Sequence, residues 1–277
     1  MDKLNNGDLA SLNPELMFAT NVLNLESLHY GYWDGPQNLD LENLKKAQER
    51  YTDTLTDLFP DNVKTILDVG CGIGDVALSL VNKGYEVTAI SPDRNHAQYY
   101  DSPEKERINF HNVKIENLDL DEKFDLIIMI ESQNYFDPVA GFYQCRRFLN
   151  PGGSVYVSGM FRKGDSDIFK VCNIESDFIQ IASSFGFMLT NSLDITENIL
   201  PSMTMAFEAY QGFMELLKAT TDNHFDNSTH IKIFLLRMIF FKEFRKILKL
   251  RDYYQLRMDP QLFQQDVKYL RLLFTES

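Results

Sequence analysis

Thr65-Ile-Leu-Asp68-Val-Gly70-Cys71-Gly72-Ile-Gly74 carries an apolar run straight into three glycines at alternate positions. Glycine brings no Cβ and tolerates positive φ, so such a backbone turns sharply and lies close against a ligand. The stretch Asp75 to Asn82 that follows is helical in pattern, and a helix start offers unpaired N–H groups. A dinucleotide fingerprint has the spacing G-x-G-x-x-G and seats a pyrophosphate on that helix end. The spacing here is G-x-G-x-G, with Asp68 in the last turn of the strand. A carboxylate at that point repels a pyrophosphate and suits a cationic ligand bearing an amino group.

Working outward, Val63 to Val69 has the pattern of a buried strand, Val76 to Asn82 of a helix, and Glu86 to Ile90 of a second strand. Ile108 to Val113, Phe124 to Ile130 and Ser154 to Ser158 continue the series. Apolar strands separated by helical stretches predict a parallel sheet covered on both faces. Ligands of such sheets sit beyond the carboxyl ends of the strands, where the strand order reverses.

A chain of 277 residues suffices for one large domain with an appendage. No segment approaches the roughly 20 uninterrupted apolar residues of a membrane helix. Met1 to Gly7 lacks the basic-then-apolar pattern of a secretion signal, which predicts a cytoplasmic protein. Cys71, Cys145 and Cys172, with the five histidines, show no metal-ligand spacing, so no protein-bound metal is expected. A net charge of −13 disfavours nucleic acid as a partner. Residues 231–251 are a local exception, with Lys232, Arg237, Lys242, Arg245, Lys246, Lys249 and Arg251 against the single acid Glu243. That stripe is either the solvated face of a lid helix or a weak contact for a membrane surface or an anionic substrate.

Asp68-Val-Gly70-Cys71-Gly72-Ile-Gly74 resembles the first motif of the class I S-adenosylmethionine-dependent methyltransferases. The turn Phe148-Leu-Asn-Pro-Gly-Gly153 before the fifth strand is similar to the one this superfamily carries. The resemblance implies a Rossmann-like α/β fold, a seven-stranded, mostly parallel sheet with helices on both faces. S-adenosylmethionine is the implied cofactor, held by Asp68, Gly70, Cys71, Gly72 and Gly74, with Ile130 at the end of strand four. The loop His29-Tyr-Gly-Tyr-Trp-Asp-Gly-Pro36, followed by an amphipathic helix Leu41 to Leu58 containing Ala47-Gln48, resembles the small-molecule branch. Tocopherol, sarcosine, cyclopropane-fatty-acid and terpenoid methylating enzymes belong to it. There the loop closes over the donor, which implies donor contacts for Tyr30 and Trp33 and a place beside the reaction for Tyr32. A sulfonium beside such rings gains cation–π attraction of about 0.5–2 kcal/mol. The alternative makes Tyr32 and Trp33 hydrophobic staples that hold the cap to the sheet.

Two positions depart from the family pattern. The ribose-holding acid after strand two is replaced by Ser91, with Asp93 two residues on; either Asp93 reaches back or the ribose is held more loosely. After strand three, Lys114 stands where an acid pairs with adenine, leaving the backbone of Ile115 to hold the base and Glu116 beside it, facing solvent. Glu131-Ser132, at the end of strand four, matches the pair that lies next to the transferred methyl in the terpenoid and tocopherol branches. Tyr135 stands where many relatives have a histidine. An unperturbed tyrosine titrates near about 10, so its expected part is to orient the acceptor and that of Glu131 is to do the chemistry.

The remaining segments give Ile174 to Gly186 as a helix, Phe187 to Ile195 as strand six, and Pro201 to Met258 as a helical insertion rich in Phe, Tyr and Met. The final run Asp266 to Phe274 alternates like a half-exposed strand and completes the antiparallel edge of the sheet. The expected division is a cap with an aromatic loop over residues 1–59, the cofactor-binding core over 60–199, a lid over 200–260 and the last core strand over 261–277. The expected function is methyl transfer to an amine, hydroxyl or carbon of a small molecule in an enclosed pocket. A membrane-surface lipid- or isoprenoid-modifying enzyme and a non-catalytic S-adenosylmethionine-binding protein are the alternatives. Acceptor identity and oligomeric state are open at this stage.

Overall fold

The computed structural model describes residue 16, residues 18–226 and residues 255–276. Seven strands form one sheet: β1 (Thr65–Val69), β2 (Glu86–Ile90), β3 (Asn109–His111), β4 (Phe124–Ile130), β5 (Leu149–Arg162), β6 (Phe187–Asp194) and β7 (Val267–Glu276). Their order is β3-β2-β1-β4-β5-β7-β6. The first five are parallel, while β7 runs antiparallel to both β5 and β6. From β1 the chain steps outward to β2 and β3, then returns to β4 on the other side of β1. The carboxyl ends of β1 and β4 therefore meet at the switch point, where crevices form in sheets of this kind.

Side chains alternate across the strands, so each strand feeds two cores. Ile66, Leu126, Ile128, Tyr156 and Tyr269 pack on one face with Tyr51, Ala77 and Leu80. Tyr51 comes from α1 (Leu41–Asp53), and Ala77 and Leu80 come from α2 (Asp75–Asn82). Leu67, Ile127, Met129, Val157 and Leu272 pack on the other with Phe142 and Phe178. These two aromatics come from α4 (Pro138–Phe148) and α5 (Glu175–Ser184). A short α3 (Arg94–Ala97) follows β2, α6 (Thr196–Asp226) follows β6, and α7 (Pro260–Asp266) leads into β7.

Several expected boundaries move for identifiable reasons. β1 begins at Thr65 rather than Val63, because the backbone N–H groups of Lys64 and Thr65 both donate to the Asp125 carboxylate of β4. The helix expected over 41–58 ends at Asp53 and tightens into a 3₁₀ turn, Thr54–Leu58. There the Thr54 hydroxyl turns back on the Arg50 and Tyr51 carbonyls. β5 runs to Arg162, far beyond Ser158, because β7 pairs with it from Ser154 to Arg162.

The largest correction concerns β7. It is not a half-exposed edge but an inner strand between β5 and β6, buried over most of its length. The charged positions Lys268 and Arg271 suggested exposure, yet Arg271 is only 2 % exposed. Its guanidinium lies over the rings of Tyr51 and Tyr32 and donates to the Thr54 and Tyr51 carbonyls. The edges of the sheet are β3 and β6.

Among the described residues no helix is long and apolar enough to cross a membrane, and no cluster of potential metal ligands occurs. The basic stripe 231–251 and the aromatic and methionine positions 234, 238, 240, 241 and 244 lie outside the described residues.

Candidate active site

The glycine turn is built by backbone constraint. Gly70, Gly72 and Gly74 all have positive φ, at 81°, 54° and 84°. The N–H groups of Gly70 and Cys71 both donate to the Ile90 carbonyl, which binds the turn to β2. A Cβ on Gly70 would overlap the Ser132 side chain, so β1 and β4 approach each other here as only glycine permits. The Ser132 hydroxyl donates to the Val69 carbonyl and ties the two strand ends together. Cys71, buried, fills the turn.

Asp68 sits beneath this turn, 1 % exposed, and its Oδ2 has no hydrogen-bond partner. Burial first, and then the nearby Asp75 carboxylate, push its carboxyl up to about 8. A buried acceptor without a donor is costly unless a partner arrives. An ammonium or a cationic amino-acid moiety is the partner whose chemistry fits.

Across the switch point, Glu131 directly follows β4 with φ at 55°, a left-handed conformation uncommon for a residue with a side chain. Its N–H donates to the Ser158 carbonyl at 2.7 Å, which holds the bend. Such strain collects at functional positions because only an over-determined surrounding sustains it. Its Oε1 accepts from the Tyr269 hydroxyl at 2.6 Å and from the Tyr30 backbone N–H at 3.0 Å. Burial raises the Glu131 carboxyl above its ordinary value, partly offset by His29 and by these two donors. Tyr269 continues through Tyr51, at 2.8 Å, to Ser158 at 2.6 Å from the Tyr51 hydroxyl.

The cap loop spans these parts. Tyr30 is packed against the core beside Tyr269, edge to face at 6.2 Å. Trp33, expected at the donor, is 2 % exposed, and its indole N–H donates to Ser202 of α6 at 2.8 Å. That hydrogen bond fastens the loop to α6. The Tyr32 ring lies against the Arg271 guanidinium of β7. Tyr135 is 83 % exposed, so the tyrosine that meets Glu131 is Tyr269, from the other end of the chain.

Ser91 is buried, with its Oγ 2.8 Å from His96 Nδ1. Asp93 caps α3, its Oδ1 accepting from the N–H and the side-chain amide of Asn95. Ile115 is buried at the start of a 3₁₀ turn, Glu116 faces solvent, and Ile130 is buried at the end of β4. Tyr269, Tyr51 and His29 escaped sequence reading as site residues, although His29 opens the aromatic loop.

The fold is a Rossmann-like α/β fold, with the candidate site at the β1/β4 switch point. Residues 44–187 match the methyltransferase domain family. The methyltransferase GfsG of Streptomyces halstedii is 30% identical over 224 residues, covering 73% of this chain and 78% of that protein. The 27-O-demethylrifamycin SV methyltransferase of Amycolatopsis mediterranei is 24% identical over 213 residues, covering 69% and 77%. Among solved structures, the [4+2]-cyclase SpnF superposes with a TM-score of 0.66 at 18% identity, over 98% of this chain and 94% of that one. The chain belongs to the methyltransferase domain family. It is an S-adenosylmethionine-dependent methyltransferase of the small-molecule kind.

Proposed function

We propose that the protein methylates a hydroxyl group of a small-molecule acceptor, with Glu131 receiving the displaced proton. In this reading Asp68 holds the donor's ammonium under the glycine turn, and Glu131, just past β4, faces the acceptor. S-adenosylmethionine supplies an activated methyl on a sulfonium whose leaving group is a neutral thioether. The chain's own task is alignment, water exclusion and disposal of a proton. As the acceptor oxygen forms its bond to carbon, the carbon–sulfur bond breaks and the hydroxyl proton passes to Glu131. A carboxylate with a raised pKa is the better base for this step. The rifamycin relative, named for an O-demethylated substrate, supports a hydroxyl over an amine or carbon acceptor. In this reading the cap loop and the first turns of α6, joined through Trp33 and Ser202, wall the acceptor side.

The observation that carries this reading is the half-buried Glu131 carboxylate at the strained bend just after β4, held by Tyr269 and Tyr30. Glu131→Gln is expected to bind S-adenosylmethionine nearly as tightly as wild type by calorimetry. Its transfer of labelled methyl to a host metabolite extract is expected to fall ~100-fold or more. Normal turnover in that variant would remove Glu131 from the mechanism.

A further inference from the structure

His29 is 7 % exposed and lies between the cap loop and the first residue of α2. Its Nδ1 is 2.8 Å from the Tyr30 carbonyl oxygen. Its Nε2 is 3.0 Å from Thr52 Oγ1 and 3.1 Å from Asp75 Oδ2, the latter an off-axis ionic contact. The Thr52 hydroxyl is also within reach of the Gln48 carbonyl. The Tyr30 carbonyl and Asp75 Oδ2 flank the two ring nitrogens and can only accept, and Asp75 Oδ2 is buried with no hydrogen-bond partner. An imidazolium sets opposite charge against that carboxylate oxygen while it donates to the Tyr30 carbonyl. The ring also stacks on Tyr51 at 4.5 Å.

Neighbouring loop contacts lead elsewhere. Gly31 N–H and the Trp33 indole go to Ser202, Trp33 N–H goes to the Asn198 carbonyl, and Tyr32 N–H goes to the Ala47 carbonyl. Within the segment 29–33, His29 supplies the ion pair to the helix that opens the donor site, and the next residue supplies the amide on Glu131.

We propose that His29 is a positioning residue: as an imidazolium paired with Asp75 it clamps the 29–33 loop onto α2 and so holds the Tyr30 amide on the Glu131 carboxylate. The consequence for turnover rests on the reading of Glu131 given above; the clamp itself does not. Burial opposes the charge on His29, but Asp75, then Glu131 and the Tyr30 carbonyl, raise its pKa above the ordinary histidine value. Burial opposes the Asp75 charge too, and His29 and Ser27 hold its carboxyl below the usual range. The titratable groups around the ring are Asp75 from α2, Glu131 from β4, Tyr51 from α1 and Tyr30 from the loop, with Asp68 behind Asp75.

Two measurements test the clamp without turnover. Ring ¹⁵N spectra of the wild-type protein at about pH 7 are expected to show both His29 nitrogens protonated, where an unperturbed histidine is mostly neutral. A neutral, single-tautomer His29 would overturn the proposal. Affinity for S-adenosylhomocysteine, titrated by calorimetry upward from neutral pH and kept below the range in which the ligand's own α-ammonium loses its proton, is expected to rise as Asp68 ionises and fall as His29 loses its proton. His29→Gln is expected to abolish the falling limb, keep the rising one, and weaken binding about tenfold below it. A falling limb that survives in His29→Gln would equally overturn the clamp, while Glu131→Gln tests the catalytic reading separately.

Discussion

Asp68 shows how one side chain links folding to ligand chemistry. Its carboxyl lies at about 8 in the fold, against an ordinary value of 3.8. A folded-state pKa above the unfolded one means the native state holds the extra proton, so its contribution is full below the unfolded value and is lost as pH rises through about 8. An ammonium docked on Asp68 reverses that bias and drives the proton off. Binding of S-adenosylmethionine at about pH 7 is therefore expected to release close to one proton, measured as the dependence of binding heat on buffer ionisation enthalpy. Asp68→Asn is expected to release none and bind weakly. Zero release by the wild type would contradict the assignment. Asp68, the glycines and Glu131 were legible because each sits at a fixed offset from a strand end. Their partners were not: Tyr269 reaches Glu131 from 138 positions away, and nothing local marks it.

At the scale of elements, the aromatic loop is held by a helix the sequence pattern assigned to a lid. Ser202 Oγ accepts from both Gly31 N–H at 3.0 Å and Trp33 Nε1 at 2.8 Å. Ser202→Ala would orphan two buried donors and is expected to lower stability by about 2–4 kcal/mol, read from the denaturation midpoint. A loss under about 0.5 kcal/mol would show that the loop re-forms without this anchor. Parallel strands were legible because they are apolar throughout and bounded by turns, and β2 and β4 fall where expected. β7 was misplaced because the charges of Lys268 and Arg271 read as solvent-facing positions. A charge buried between two tyrosine rings has no signature that separates it from a charge in water.

For the whole molecule, the order β3-β2-β1-β4-β5-β7-β6 brings segments far apart in sequence to the β1/β4 switch point. The glycine turn follows β1, Glu131 follows β4, the tyrosine that bonds it comes from β7, and the loop beside them from the N-terminal cap. Sequence patterns give the parallel half of this plan, since each βαβ unit is local. The inner placement of β7 depends on competition between distant edges, which local pattern does not encode. In the proposed reaction these parts together move a methyl group from S-adenosylmethionine to a small molecule, with Glu131 as base. Incubating the protein with methyl-labelled S-adenosylmethionine and a host metabolite extract, then locating the label by mass, is the decisive experiment. A labelled small-molecule methyl ether is expected, disappearing with Glu131→Gln while donor binding persists. Donor binding with no labelled product from the wild type, or the same product at the same rate from Glu131→Gln, would contradict it.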